Sequence, residues 1–362
     1  MRNKRTVWAV AAIAVVLVLT GAGVAVALTV RKNPRVAAPG TGGPAPAVSS
    51  ASPAPPPGSD ITGPLDLLLI GVDTRVTIPD WEPHADAIML LHVDAGLTRG
   101  YLTSLPRDLR VDMPAFPKSG FRGGRYKITE AMSRGSLVAG SKTPSAEQGY
   151  ELLTRVIEEY TGIAKFDAGA VLTFSGLSRL TDALGGVTMR IDQKVVSQHR
   201  RPDGTLRTPR RGGGGYVGPQ ATYLPGVRKL KGWQALDYAR QRYTAGGDYT
   251  RQRHQRQLVK ALFARAADAG LATDPGKLGQ VITALGDTLL YSGAREPIEY
   301  AYALRNLSPD RLTLVGLPGG SVTSGGGYLG EELRPLGRQY LRAVARDDPA
   351  GFLADHPELV HK

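Results

Sequence analysis

The sequence predicts a three-layer α/β/α sandwich around a mixed central sheet, preceded by one transmembrane helix. Three observations predict it. Short apolar runs alternate with segments whose apolar residues recur every three or four positions, as expected of helices packed on a sheet. Val7 to Val30 carries no charge over about 24 residues, where a hydrocarbon core needs about 20. Residues 33–63 are rich in Pro, Ala, Gly and Ser and nearly uncharged, a composition that makes an extended tether and no core.

Taken in order, Arg2, Lys4 and Arg5 precede the apolar stretch, and Arg31, Lys32 and Arg35 follow it, so charge alone does not orient it. Ala25-Val26-Ala27 fits a signal cleavage site, but signal apolar regions run about 7–15 residues, which favours a retained anchor. The expected organisation is a cytoplasmic start and anchor over 1–32, a tether over 33–63, a folded domain over 64–320 and a partly helical C-terminal tail over 321–362. The body is then extracytoplasmic, on a single-pass cell-membrane protein.

Leu65 to Val72, Ala87 to Val93 and Gly100 to Leu105 read as buried strands, the last two joined by a tight turn at DAGLT. Asp73, Asp86, Arg107 and Asp108 stand just beyond strand ends, where α/β folds place ligand crevices. Leu152, Leu153, Val156, Ile157 and Tyr160 share one helical face, and Phe174, Leu177, Leu180 and Leu184 another that stops at Gly185-Gly186. The apolar faces of these two helices are candidate walls for a tunnel between helices and sheet, although the same residues serve equally as core. Val187 to Ile191 alternates as a strand, His199 to Gly218 reads as a mobile basic loop, and Arg311 to Leu317 is a late strand. A last helical pattern surrounds Leu336 to Ala345.

Composition narrows the chemistry. There are no cysteines, which excludes disulfides, thiolate metal sites and a cysteine nucleophile. His84, His92 and His254 share no ligand spacing, and no GxSxG motif is present. The formal charge of +13 suits nucleic acid in the cytoplasm, but outside the membrane it suits lipid head-groups, anionic wall polymers or a phosphorylated substrate. Anchor and tether argue against nucleic acid.

The densest chemistry lies between Leu236 and Leu258, where Arg240, Arg242, Arg251, Arg253 and Arg256 surround Asp248. A TAGGD turn divides two helices, Gly232 to Arg242 and Tyr249 to Ala269, and Asp248 is placed to cap the second. Arg251 and Gln255 then share a face. Alone, such a stretch reads as a solvated basic helix. Arginine forks, however, match phosphate oxygens two at a time.

Together, GVDTR, ADAIMLLHVD, SLPRDLRVDMP, KITEAM, TGIAKFDAGAVLTFSGLSRLTDALGGV and the ALDYARQR and DYTRQRHQ pair resemble the LytR-CpsA-Psr family, in order, from about Leu65 to Leu317. The resemblance implies a phosphotransferase that moves a glycopolymer from a polyprenyl-pyrophosphate carrier to a peptidoglycan or related wall hydroxyl, forming a phosphodiester. It implies metal-binding carboxylates at Asp73 and Asp86, taking Mg²⁺ or Mn²⁺. It implies pyrophosphate contacts at Arg75, Arg107, Lys127, Arg240, Arg242, Arg251 and Gln255, with Asp73, Asp86, Arg107, Arg240 and Arg242 in catalytic roles. Asp108 and Asp248 support them, and Asp86 or Asp108 is the candidate acceptor of the nucleophile's proton. Two departures stand out: His254-Gln255 replaces the family's Arg-Gln, shifting one anion contact to Arg253 or weakening it, and KIT replaces KIN at Lys127. The alternatives are a non-catalytic binder of prenyl phosphates or anionic wall polymer, and a hydrolase acting on the same pyrophosphate.

Overall fold

The structure, a computed structural model, describes residues 55–73, 82–271 and 274–361. The expected anchor, the tether up to residue 54 and Arg75 lie outside the described residues. No described helix is long and apolar enough to cross a membrane.

Seven strands make the central sheet: β1 (Leu65–Asp73), β2 (His84–Val93), β3 (Gly100–Leu105), β4 (Ala168–Thr173), β5 (Leu289–Gly293), β6 (Leu312–Val315) and β7 (Val360–His361). Their spatial order is β5-β4-β1-β2-β3-β6-β7. The β1/β4 and β3/β6 pairs are parallel and the others antiparallel, so the sheet is mixed, as expected. It follows that β1, β3, β4 and β6 all end at the same edge.

Both faces of the sheet are buried because its strands are apolar on both sides. In β1, Leu65, Leu67 and Leu69 enter one core cluster while Leu68, Ile70 and Val72 enter the other. The first face is covered by α3 (Phe174–Ala183), α4 (Gly232–Arg240), α5 (Gly247–Ala269), α6 (Pro275–Leu285) and α7 (Pro297–Ala303). The second is covered by α1 (Thr129–Ser136), α2 (Ala146–Thr161), α8 (Pro335–Val344) and α9 (Pro349–Asp355).

Sequence sets these helices directly. α2 starts where Ser145 accepts a hydrogen bond from the Gln148 amide and stops at Gly162, whose φ of 80° few other residues adopt. Its Leu152, Leu153, Val156 and Ile157 are fully buried, and truncating one to Ala costs about 2–5 kcal/mol. α4 approaches α3 so closely that a Cβ on Gly232 would lie 2.1 Å from the Ser178 carbonyl oxygen. α5 begins after Gly246 and has no side-chain cap. The expected capping role of Asp248 is therefore wrong: it sits inside the first turn and accepts from Arg251 and Gln252.

Two further expectations change. The segment His199 to Gly218 is a folded flap, in which Thr208–Pro209 pairs with Tyr216–Val217. Arg207 is its internal tie, donating to the carbonyls of Gln198, Tyr216 and Gly218. A guanidinium satisfies several loop carbonyls at once, which composition alone does not reveal. Of the expected tail over 321–362, residues 321–361 are described; they are partly helical and rejoin the sheet through β7, which pairs with β6. A hairpin of Gly319–Ser324 and Gly327–Leu333 opens this part of the chain.

Candidate active site

A β-bulge positions the first acid. Gly71 faces Ala87 and Val72 faces Ala85 across the ladder, leaving Asp86 without an opposite residue. The extra residue rotates the strand: Ala87 packs in the first core cluster and Ala85 in the second, although they are two apart. Asp86 stands between them, and Asp73 ends the neighbouring β1. Arg107 follows β3 on the other side, at the edge where the parallel strands end.

Here a polar cleft of about 560 Å³ is lined by Asp73, Asp86, Arg107, Asp108, Lys127, Arg240, Arg242 and Arg251 among others. Eight of the predicted residues thus converge. Arg107 Nη1 donates to Asp86 Oδ1 at 2.5 Å. Burial works against the Arg107 charge, but Asp86, then Asp248 and Asp108, outweigh it and hold the guanidinium protonated. Its Nε is buried without a partner. Arg251 is 4% exposed; it donates from Nε to Asp248 Oδ1 at 2.8 Å and from Nη1 to the Asp86 carbonyl at 2.9 Å. Burial raises the Asp248 carboxyl pKa, but Arg251, Gln252 and Arg107 pull it below the ordinary value. Arg240 Nη2 lies 3.9 Å from Asp73 Oδ2, and its guanidinium sits 4.9 Å from the Phe174 ring centre.

On the opposite wall, Lys127 Nζ lies 3.5 Å from Asp108 Oδ1 and 4.8 Å from the ring centre of Tyr328. The Tyr328 hydroxyl lies 3.2 Å from Asp108 Oδ2 and 3.1 Å from Glu331 Oε1. Glu331 also accepts from Tyr249 and Ser321, and its amide donates to the Asp108 carbonyl. The C-terminal hairpin therefore backs two residues of the cleft wall, Asp108 and Lys127. The sequence gives no signal for Tyr328 and Glu331, because Asp108, the cleft residue they hold, lies more than 200 residues earlier.

His199 is a second omission. It lines the cleft, and burial, followed by the charges of Arg240, Arg200, Arg207 and Arg242, lowers its pKa to about 4. Behind the arginines, buried Asp237 accepts from Ser197 at 2.9 Å, Tyr223 at 2.9 Å and Gln241 at 2.8 Å. The Gln241 side chain in turn accepts from the Gln198 amide, tying the flap to the α4–α5 turn that carries Arg240 and Arg242.

Gln255 does not line the polar cleft. It lines an adjoining narrow cavity of about 60 Å³ with Leu69, Met89, Ala170, Leu236 and Leu258, because it projects between α5 and the sheet. Phe174 and Arg240 border both spaces. Phe174 and Leu177 of α3 line this apolar cavity as expected, but α2 does not, since it packs on the opposite face of the sheet. His254 is fully buried against Tyr238, with Nε2 3.0 Å from Asp192 Oδ1, and Arg253 pairs with the same carboxylate. Arg253 therefore does not replace the missing family arginine in the cleft.

A hard cation fits the donor type but not a closed cage. Asp73 and Asp86 supply oxygen ligands on one wall, yet Arg107 engages Asp86 Oδ1, and among the described residues no group of three or more His, Cys, Asp or Glu gathers to hold a metal. Mg²⁺ commonly takes one or two carboxylates and completes its shell with water and substrate phosphate, so the pair suffices in that mode.

Comparison with known proteins agrees with this architecture. The LytR_cpsA_psr family model matches residues 42–326. The chain is 27% identical over 205 residues to biofilm regulatory protein A of Streptococcus mutans, covering 55% of this chain and 43% of that protein. It is 26% identical over 294 residues to the cell wall biosynthesis protein LcpA of Corynebacterium glutamicum, covering 75% and 53%. Against the polyisoprenyl-teichoic acid–peptidoglycan teichoic acid transferase TagU of Oceanobacillus iheyensis it is 28% identical over 250 residues, 65% of each chain. The chain thus spans about half the length of the curated relatives it matches. A Streptococcus agalactiae crystal structure superposes with a TM-score of 0.60 at 21% identity, covering 78% of this chain and 87% of that one. Bacillus subtilis TagV gives 0.57 at 16%, covering 80% and 98%. At these identities the likeness speaks to the fold alone.

Proposed function

Because the chain belongs to the LytR-CpsA-Psr family, we propose that it is a phosphotransferase that moves a glycopolymer from a polyprenyl-pyrophosphate carrier to a peptidoglycan or related wall hydroxyl. The observation that supports this most is the junction of the arginine-lined cleft with a narrow apolar cavity, sharing Phe174 and Arg240. A prenyl pyrophosphate has this same division, an anionic head on an apolar chain. Leu69, Met89, Leu172 and Leu258 receive the start of the prenyl chain, while Arg107, Arg240, Arg242, Arg251 and Lys127 surround the pyrophosphate. Val7 to Val30 anchors the chain in the cell membrane, with the catalytic domain on the extracytoplasmic side.

In the reaction, the acceptor hydroxyl oxygen forms a bond to the sugar-side phosphorus, and the bond from that phosphorus to the bridging oxygen breaks. Polyprenyl monophosphate leaves with the bridging oxygen. Such transfers depend on positioning and charge stabilisation more than on covalent help. Arg240 and Arg242 stabilise the charge growing on the departing phosphate. Arg107, fixed by Asp86, keeps one guanidinium edge in place without reorganising during the reaction. Asp108, at the rim beside Lys127, takes the proton from the acceptor hydroxyl. Mg²⁺ or Mn²⁺ held by Asp73 and Asp86 would supply further neutralisation of phosphate oxygens.

The test supplies the full chain in detergent with a polyprenyl-pyrophosphate-linked sugar, Mg²⁺ and peptidoglycan fragments. Formation of the sugar adduct with release of lipid monophosphate, lost in Arg107→Ala and Asp73→Ala, supports the transferase. Monophosphate without adduct would indicate hydrolysis, and tight binding without turnover a binding protein.

A further inference from the structure

Arg256 is the largest fully buried side chain among the described residues, at 1% exposure. It lies five positions beyond Arg251 on α5, about 140° further around the helix axis, so it faces away from the cleft. Its Nη2 is 2.9 Å from His361 Nδ1, while Nε is buried with no partner. Among the described residues no carboxylate offsets its charge; burial and Arg253 together lower its pKa to about 9. His361 cannot offset it either. To accept from Arg256 at Nδ1 the imidazole must be neutral, and burial with Arg256 and Arg253 holds its pKa at about 4.

A buried cation without an anion is costly. Here it borders a cavity of about 290 Å³ that Gln252 and His361 also line. Leu317, Pro318 and Leu359 supply apolar wall, and Glu358 also lines the cavity, its largely exposed carboxylate 3.3 Å from His356 Nδ1. The cavity is larger than a bare oxyanion requires.

We propose that this cavity is a second anion site, separate from the cleft. It takes a small organic oxyanion, carboxylate or phosphate ester, whose charged group pairs with Arg256 and whose apolar body lies against Leu317, Pro318 and Leu359. The site does not depend on the transferase reading, since none of its residues lines the polar cleft.

The test uses the full chain with ¹⁵N-labelled histidine, the His361 imidazole being assigned with His361→Gln. Benzoate and phenyl phosphate are titrated separately, with benzyl alcohol as the uncharged control. The expected result is a saturable shift of the His361 nitrogens with one or both anions and none with the alcohol. The responding anion identifies the ligand class. Arg256→Met should weaken binding by about tenfold or more, and Arg242→Ala should leave the response in place. The wild-type titration decides the matter even if Arg256→Met fails to fold. No His361 response at millimolar anion overturns the proposal, and so does a response that survives Arg256→Met or vanishes in Arg242→Ala.

Discussion

Asp237→Ala is expected to destabilise the chain strongly and to loosen the arginine cleft, although Asp237 does not line it. Three donors converge on this buried carboxylate: Ser197 Oγ at 2.9 Å, the Tyr223 hydroxyl at 2.9 Å and Gln241 Nε2 at 2.8 Å. Removing the acceptor leaves them short of partners in a dry environment, and each such loss costs about 1–3 kcal/mol. Gln241 retains a bond to the Asp237 carbonyl, so its loss falls at the low end. The sum is about 3–7 kcal/mol. Asp237→Asn should cost much less, about 1–2 kcal/mol, because one amide oxygen still accepts and the Tyr223 hydroxyl can turn to accept from the amide. Burial already raises the Asp237 pKa, against the bonds from Ser197 and Tyr223, so loss of charge is itself no penalty. Urea unfolding of wild type and both variants measures this, with a shift in midpoint at unchanged m-value. Pyrophosphate affinity in Asp237→Asn should remain near wild type. Equal costs for Ala and Asn, or a cost below about 1 kcal/mol for Ala, would refute the reasoning from unsatisfied donors.

Three other outcomes are expected. Burial opposes a charge on His92, but Asp66 and Asp347 raise its pKa above 6.5, so its contribution to stability is complete below pH 6.5 and declines as pH rises through the folded value; unfolding free energy against pH should show this fall, and His92→Gln should flatten it. Tyr328→Phe keeps the ring under Lys127 but removes the hydroxyl between Asp108 and Glu331, a loss of about 0.5–1.5 kcal/mol that should weaken pyrophosphate binding roughly two- to tenfold by calorimetry. Ala170→Leu fills the cavity of about 60 Å³, so a long-chain prenyl pyrophosphate should bind more weakly while inorganic pyrophosphate is unaffected; parallel losses would place the chain elsewhere.

Local patterns made much of the fold legible. The doubly apolar β1, the helical spacing of Leu152 to Ile157 and the glycine stops all carry their information within a few residues. Seven of the eight residues that meet in the cleft were legible because strand ends and an arginine-rich stretch mark them, while Lys127 was legible through the family resemblance alone. Less legible were contacts whose physics lies in distant partners. Asp248 looks like a helix cap until Arg251 competes for it. Gln255 has the expected helix face, but the apolar cavity reaches that face before the polar cleft does. Arg207 looks like one more solvated charge, yet three carbonyls of its own loop enclose it. Tyr328 and Glu331 carry no local signal, since only folding brings their hairpin to Asp108.

The bulge at Asp86 makes that acid part of the strand's phase as well as of its chemistry. Substituting Asp86 removes a carboxylate and leaves the ladder as it is. Deleting it would join Ala85 directly to Ala87 in regular alternation, each still on its present side of the sheet, with the bulge gone. Asp86 has no partner across the ladder and no place in either core, so the sheet could close without it and only the cleft has a use for the irregular step it makes.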